Sequence, residues 1–434
     1  MIPFGVAFLF LAWVSAHFLV IPAILVRRAR WVSLIAAALL MTAAYLLKPY
    51  TYDLDKYSIF FVTGYIPTVH WHTPNGITFQ LDTKDTIGEP FQLDPADTTG
   101  EPYTGYEPGF SALARVGNFV LPAGRLLPRF NEDLWSFKTG PPPKHDALLL
   151  LIMVLSFLAI IFTITRGIVN DNRGVKIESS TILLLSIAVV GSVFFFLGSQ
   201  NAIRQFLGLV VVLLAMNASF AKRYATSGVL ILIATAFHKW SFVLGVFAVF
   251  VTLLASEQVR QSLGLRRLSN RFEYWPEILV IALAMSALGA IKLILILGVH
   301  NLDLPLVGDL NAYVLKQVQF EAFERPEVWI KWVSIAGIFA LSEIVAGRKN
   351  CEGGIEIPRI RRLMFLFMLP WAVFPEIGSR LLMLYWMVEM VYVAWAFVSK
   401  ARRIQVAGIV IFLSYGLAPN ALNVLLGSSW LRSF

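Results

Sequence analysis

Long apolar runs follow one another through most of this chain, and a polypeptide built that way can cross a bilayer many times but cannot fold as a soluble domain. A span needs about 20 consecutive apolar residues, because a helix rises 1.5 Å per residue and the hydrocarbon core is about 30 Å thick. Runs at 2–26, 32–47, 147–165, 180–198, 205–221, 225–237, 240–255, 278–297, 328–346, 363–374, 381–398 and 404–426 supply twelve candidates within 434 residues. Composition agrees, with 57% hydrophobic and 15% charged residues and a mean hydropathy of +0.70. A soluble domain carries about a quarter charged residues, so a soluble enzyme is excluded. The expected fold is an all-α polytopic membrane protein, one transmembrane domain over residues 1–434. The single cysteine, Cys351, can form no internal disulfide. The net charge of +9 is scattered between apolar runs, so it reads as a topology signal and not as a nucleic-acid surface.

Orientation follows from that scatter. The loops after the first, third, fifth, seventh, ninth and eleventh runs hold more than half of the 36 Lys and Arg residues, which assigns them to the cytoplasm. The loops at 256–275, with Arg260, Arg266, Arg267 and Arg271, and at 347–362, with Arg359, Arg361 and Arg362, are the clearest cases. The first run precedes Arg27, Arg28 and Arg30, the reverse of a signal peptide. It is read as a retained span, and both termini are expected outside.

The alternation also places the loop at 49–146 outside, between the second and third spans. A connector of that length is too long to be passive. Within it FQLDTKDTIGEP (79–90) is followed by FQLDPADTTGEP (91–102), a tandem repeat of period 12 with nine identities. Its carboxylates Asp82, Asp85, Glu89, Asp94, Asp97 and Glu101 could hold a divalent cation or contact sugar hydroxyls. Their spacing matches no calcium loop, so the repeat is read as a duplicated, solvated pair of hairpin-like units, and no metal is assigned. Beyond it, Pro108 opens a stretch with Phe110, Leu113, Val116, Phe119 and Val120 at helical spacing, as in a helix lying in the outer interface.

Two further places depart from a plain bundle. Runs of 13 and 16 residues flank Phe237-His238-Lys239-Trp240, and neither easily crosses the bilayer alone. Their junction is expected in a protein-lined or watered recess, where an ionisable His238 is a candidate functional group; an interfacial histidine beside the anchors Lys239 and Trp240 is the plainer alternative. Arg204 and Arg380 are expected at the starts of helices, with Ser199 or Asn201 and Ser379 as the respective N-caps. Unpaired N–H groups, a positive dipole end and a guanidinium fork together suit phosphate. Snorkelling to water is the alternative for a terminal arginine.

Taken together, QNAIRQFLG (200–208) and TAFHKWSFVLG (235–245) resemble the signature of the EpsG family of bacterial exopolysaccharide polymerases, related in role to the Wzy polymerases. DLDKYSIFF (53–61) resembles that family's acidic-Tyr segment, GYEPGFSAL (105–113) its Glu-Pro-Gly segment, and SRLLMLYWMV (379–388) its late arginine-containing helix. The expanded loop and its acidic repeat depart from the pattern. The resemblance implies a GT-C-like bundle of about twelve helices in the bacterial inner membrane. It implies a glycosyltransferase that moves a growing glycan from undecaprenyl diphosphate to a lipid-linked repeat unit at the outer face.

The residues suit that chemistry. A lipid diphosphate leaving group gathers charge on phosphate oxygens and needs cationic clamps, for which Arg204 and Arg380 are the candidates. The acceptor hydroxyl needs a base or proton relay, and His238, Glu107, Asp53 and Asp55 each qualify. Asp53, Asp55, Tyr57, Gln200, Asn201 and Lys239, all within the resembling segments, are the expected substrate contacts. No cofactor is expected, since no nucleotide motif occurs; the expected partners are the lipid-linked oligosaccharide, the bilayer, a chain-length regulator and a flippase, with no nucleic acid. A flippase or other transporter, an O-antigen ligase-type glycosyltransferase, and a non-catalytic export scaffold remain the rival readings.

Overall fold

The computed structural model describes residues 57, 60–62, 71–72, 78–79, 106–121, 145–171, 177, 181–182, 185–186, 188–189, 192, 195, 198, 202–256, 278–287, 303–304, 308–309, 326–347, 356–373, 375–399 and 401–416. Among them the regular secondary structure is helical apart from two antiparallel two-residue ladders. In the first, Trp71 of β1 (Trp71–His72) lies opposite Phe79 of β2 (Thr78–Phe79). In the second, β3 (Asp303–Leu304) pairs with β4 (Gly308–Asp309). The first two expected spans, Asp53, Asp55, Gln200, Asn201 and the acidic repeat apart from Phe79 lie outside the described residues.

The helices follow the apolar runs. They are α1 (Pro108–Val120), α2 (Asp146–Asp171), α3 (Ile203–Phe220), α4 (Tyr224–Phe237), α5 (Trp240–Ala255), α6 (Pro326–Ala346), α7 (Glu356–Met368), α8 (Pro375–Val398) and α9 (Arg402–Gly416), with an apolar helical stretch at Ile278–Ala287. Ala147–Ile168, Ile203–Phe220 and Arg380–Val398 are long and apolar enough to cross a membrane. Large apolar side chains also face outward, among them Leu155 and Phe162 on α2 and Val229 and Leu232 on α4. In water such faces would be a liability, whereas in hydrocarbon they are the solvent-exposed surface. The chain is a helical membrane protein.

Helices α3, α4 and α5 pack on one another; α2 touches both α3 and α8; α7 lies against α5 and α8; and α9 covers α6 and α8. At 14 and 16 residues α4 and α5 are roughly 21 and 24 Å long, short of the hydrocarbon thickness, as their runs predict. The α3–α4 turn closes at Lys222, the one described non-glycine residue with positive φ, at 61°. There the Arg223 N–H donates to the Ala218 carbonyl at 2.8 Å, satisfying one of the last carbonyls of α3.

Two expectations about helix starts are corrected. The residue before α3 is Ala202, so the N-cap position belongs to neither Ser199 nor Asn201. Helix α8 begins at Pro375, which places Ser379 and Arg380 inside the helix and not at its start. Proline suits the first turn, where its missing N–H costs nothing, and it therefore outcompetes a serine four residues later. Helix α7 likewise begins at Glu356, so Arg359, Arg361 and Arg362 are helical residues where loop residues were expected.

Candidate functional site

The α4–α5 junction is the centre of a polar cluster. Helix α4 ends at Phe237, His238 is extended (φ −159°, ψ 122°), and α5 restarts at Trp240. The His238 N–H donates to the Ala234 carbonyl at 3.1 Å, and its own carbonyl accepts from the Ser241 N–H at 2.8 Å. Both helix ends are thus closed by backbone alone, and the imidazole is left for other work. It is buried, in a protein-lined position as its flanking runs predict.

Two glycines let other elements reach this junction. A Cβ at Gly109 would lie 2.8 Å from the carbonyl oxygen of Ala236, so only glycine allows the start of α1 to press against the end of α4. A Cβ at Gly208 would strike the Ser241 hydroxyl and come within 3.2 Å of the Ala234 carbonyl, so α3 also abuts the junction closely. Aromatic packing completes the approach: Phe60 meets Tyr106 edge-on at 4.7 Å and stacks on Phe110 at 6.0 Å, docking the segment around Tyr57 onto α1.

What these contacts bring together is most of the predicted site. Arg204, in the first turn of α3, donates from Nη1 to Glu107 Oε2 at 2.6 Å, and its Nε lies 3.5 Å from the Tyr57 hydroxyl. Tyr106 lies under the guanidinium at 4.2 Å, a cation–π contact. The other carboxylate oxygen of Glu107 faces the backbone N–H of Lys239 at 3.5 Å, while the lysine side chain is exposed. Arg380 Nη1 lies 3.3 Å from His238 Nε2. Arg204, Glu107, Tyr57, His238, Lys239 and Arg380 therefore converge from five separate segments. Asp53, Asp55, Gln200 and Asn201 fall outside the described residues.

Electrostatics set the protonation of His238. A guanidinium can only donate, so a contact with Nε2 requires the lone pair there and puts the ring proton on Nδ1. Burial, then the Arg380 and Arg204 cations, push the imidazole well below its ordinary pKa and keep it neutral. Its Nδ1 has no hydrogen-bond partner among the described residues. Nor has Arg204 Nη2, since the partners of that side chain are Glu107 and Tyr57. A cluster with three cationic side chains, one carboxylate and two unfilled donors is suited to an anion.

The resting arrangement also qualifies one expectation. Glu107 stands beside the arginine as its counter-ion, with Oε2 on Arg204 and Oε1 facing the Lys239 N–H, so it is engaged where a free base was expected. Tyr106, under Arg204, was not singled out by sequence, although it sits within the Glu-Pro-Gly segment. Among the described residues no group of three or more His, Cys, Asp or Glu side chains could hold a metal. A protein-family model described as the EpsG family matches residues 147–430, which contain Arg204, His238, Lys239 and Arg380, while Tyr57, Tyr106 and Glu107 join the cluster from ahead of the match. No curated protein and no solved structure matches the chain.

Proposed function

Because this chain belongs to the EpsG family, which carries a polysaccharide polymerase role, we propose that it is a glycosyltransferase extending glycans on undecaprenyl diphosphate at the outer face of a bacterial inner membrane. The observation that carries this reading is the convergence of Arg204 and Arg380, from different helices, on a buried histidine, with Arg380 Nη1 3.3 Å from its Nε2 and both cations holding it neutral. The topology that goes with it has twelve spans, both termini and the 49–146 loop outside, and the basic loop at 256–275 and the segment leading into α7 inside. The long loop then acts as a lid over the glycan.

The reaction breaks the bond between the anomeric carbon of the growing glycan and a phosphate oxygen of its lipid carrier. It forms a bond from that carbon to a hydroxyl of the incoming lipid-linked unit. The electron pair leaves with the diphosphate, so stabilising charge there lowers the barrier. Arg204 offers Nη2 without leaving Glu107. Arg380 leaves His238 for the diphosphate, freeing Nε2 to take the acceptor proton. The arriving anion also compensates the two cations that suppress the imidazole's basicity, so the base strengthens only when donor is bound. Glu107 and Tyr57 keep Arg204 aimed. No cofactor takes part; a flippase would deliver the units and a chain-length regulator would set when extension stops.

Purified protein in liposomes with synthetic lipid-diphosphate repeat units, and product length read by mass spectrometry, tests this reading. A ladder of longer lipid-linked glycans is expected, with a loss on the order of 100- to 1,000-fold in Arg204→Ala. Units that cross the bilayer unchanged would give the case to a transporter, and Arg204→Ala protein with wild-type product length would remove the site assignment.

A further inference from the structure

A second charged cluster lies deep among the helices, away from the site. Arg361 on α7 is fully buried, and each nitrogen of its guanidinium has a partner. Nε donates to Glu389 Oε2 at 2.8 Å, Nη1 to Glu343 Oε1 at 2.7 Å, and Nη2 to Ser342 Oγ at 2.6 Å. Its faces meet Phe339 at 4.7 Å and Tyr392 at 4.5 Å. The remaining oxygens are also filled: the Tyr385 hydroxyl donates to Glu389 Oε1, and Arg362 Nη2 donates to Glu343 Oε2 at 2.9 Å. One side chain on α7 therefore grips α6 and α8 together.

Such a cluster is a poor way to gain stability. Desolvating a buried ion pair costs about as much as the attraction returns, and well-packed apolar side chains of similar volume often serve as well or better. What a fork with three fixed partners supplies is register. A helix whose neighbours are apolar all round can slide or rotate with little penalty, because one leucine or valine contact resembles the next. Glu389 removes that freedom, since any slip leaves its charge in hydrocarbon without Arg361.

Glu389 and Arg380 both belong to α8, which carries Arg380 to His238. They are nine residues apart, which on an α-helix is about 13.5 Å and half a turn out of phase. Helix α8 is thus held by one face at the site and by the opposite face at Arg361. We propose that the Arg361–Glu389 pair is a register pin for α8, and that Arg361 and Glu389 are positioning residues that hold Arg380 against His238. The catalytic side of this inference rests on the polymerase reading; the geometric side does not.

The test replaces the pin by an apolar core: Arg361→Met, Glu389→Leu and Tyr385→Phe together, so that no charge or hydroxyl is orphaned at that position. The protein is expected to fold, and its extension rate to fall on the order of 100-fold through misplacement of a clamp. Arg380→Ala, costly in the native background, should then add less than about twofold, a coupling that residues more than about 10 Å apart do not otherwise show. An extension rate within about twofold of wild type, or an equal cost of Arg380→Ala in both backgrounds, overturns the proposal. Arg361→Lys gives a second variant that keeps the charge and loses the fork; it should show the same pattern more weakly, and full activity in it also overturns the pin.

Geometry is read separately. In a Cys351→Ser background, His238→Cys with Arg380→Cys is treated with a short thiol-to-thiol cross-linker. The link should form with the pin present and be lost with the apolar core, since a slip of one turn moves α8 by about 5.4 Å. Equal cross-linking in both overturns the pin whatever the protein catalyses. Absence of glycan extension in the wild type, with the cross-link still dependent on Arg361 and Glu389, would overturn the polymerase reading and leave the pin standing.

Discussion

Of the arginine–carboxylate pairs among the described residues, Arg204–Glu107 at 2.6 Å and Arg361–Glu389 at 2.8 Å have nearly the same separation, and they are built for opposite ends. The side chains of the first are 25% and 9% exposed, those of the second 0% and 0%. Among the described residues Arg204 keeps one nitrogen unfilled and stands beside a histidine with an unfilled Nδ1, whereas Arg361 uses all three nitrogens on two helices. Unfilled donors at an accessible end can be turned toward a ligand; a saturated fork in an apolar interior can only hold what it already holds. Ion-pair distance alone therefore says nothing about role, and the remaining hydrogen-bond capacity does.

The buried pair is the more sensitive of the two to mutation. Arg361→Leu alone strands Glu389 without its cationic partner and should lower stability by about 3 to 5 kcal/mol, read as unfolding in detergent. A loss no larger than that of Arg204→Leu would erase the distinction between the two pairs. At the site, Arg204→Lys keeps the charge but gives up the fork that serves Glu107 and offers Nη2 at once. Extension should fall on the order of 100-fold with thermal stability nearly unchanged, because the position is partly solvated. Stability and activity falling together would mean that this pair too is structural.

Smaller effects are expected at two backbone positions. Gly109→Ala drives a methyl into the Ala236 carbonyl two residues before His238 and should cost about 1 to 3 kcal/mol. Extension should decline as well, since α1 carries Glu107; unchanged activity would detach Glu107 from the site. Lys222→Gly relieves the left-handed backbone at the far end of the α3–α4 hairpin and should raise stability by up to about 1 kcal/mol. Extension is expected to stay at the wild-type rate, a control that separates the two ends of α3.

Much of this was readable in the residues, for particular reasons. Uninterrupted apolar runs placed α2 to α5 and the start of α9 to within a few residues, except that α2 runs on past its predicted end at 165 to Asp171; the predicted end of the last run at 426 lies outside the described residues. The two short runs around His238 marked a break because no 13-residue helix spans a bilayer, and a break exposes backbone that must be served by protein. Arg204, His238, Arg380, Glu107 and Tyr57 could be nominated because ionisable groups among apolar runs are costly unless used. Helix starts were less legible: Ala202 and Pro375 took the positions that serine or asparagine would have capped.

The Arg361 cluster was missed for a related reason. Three arginines behind a glycine-rich segment look like cytoplasmic loop charge, and positive-inside counting treats all of them alike. A signal was present in Glu343 and Glu389, single carboxylates within the apolar runs at 328–346 and 381–398, each of which demanded a buried cation.

Residue order alone was enough to make this chain a helical membrane protein, to place most of its helices, and to nominate short motifs as candidates for the site, because hydropathy and helical period act over a few residues. Only the tertiary structure decided that Glu107 answers Arg204, that Arg380 meets His238, and that Arg361 reaches Ser342, Glu343 and Glu389. Those pairings join residues from 18 to 142 positions apart, and the choice among possible partners follows from which helix faces the packing turns together.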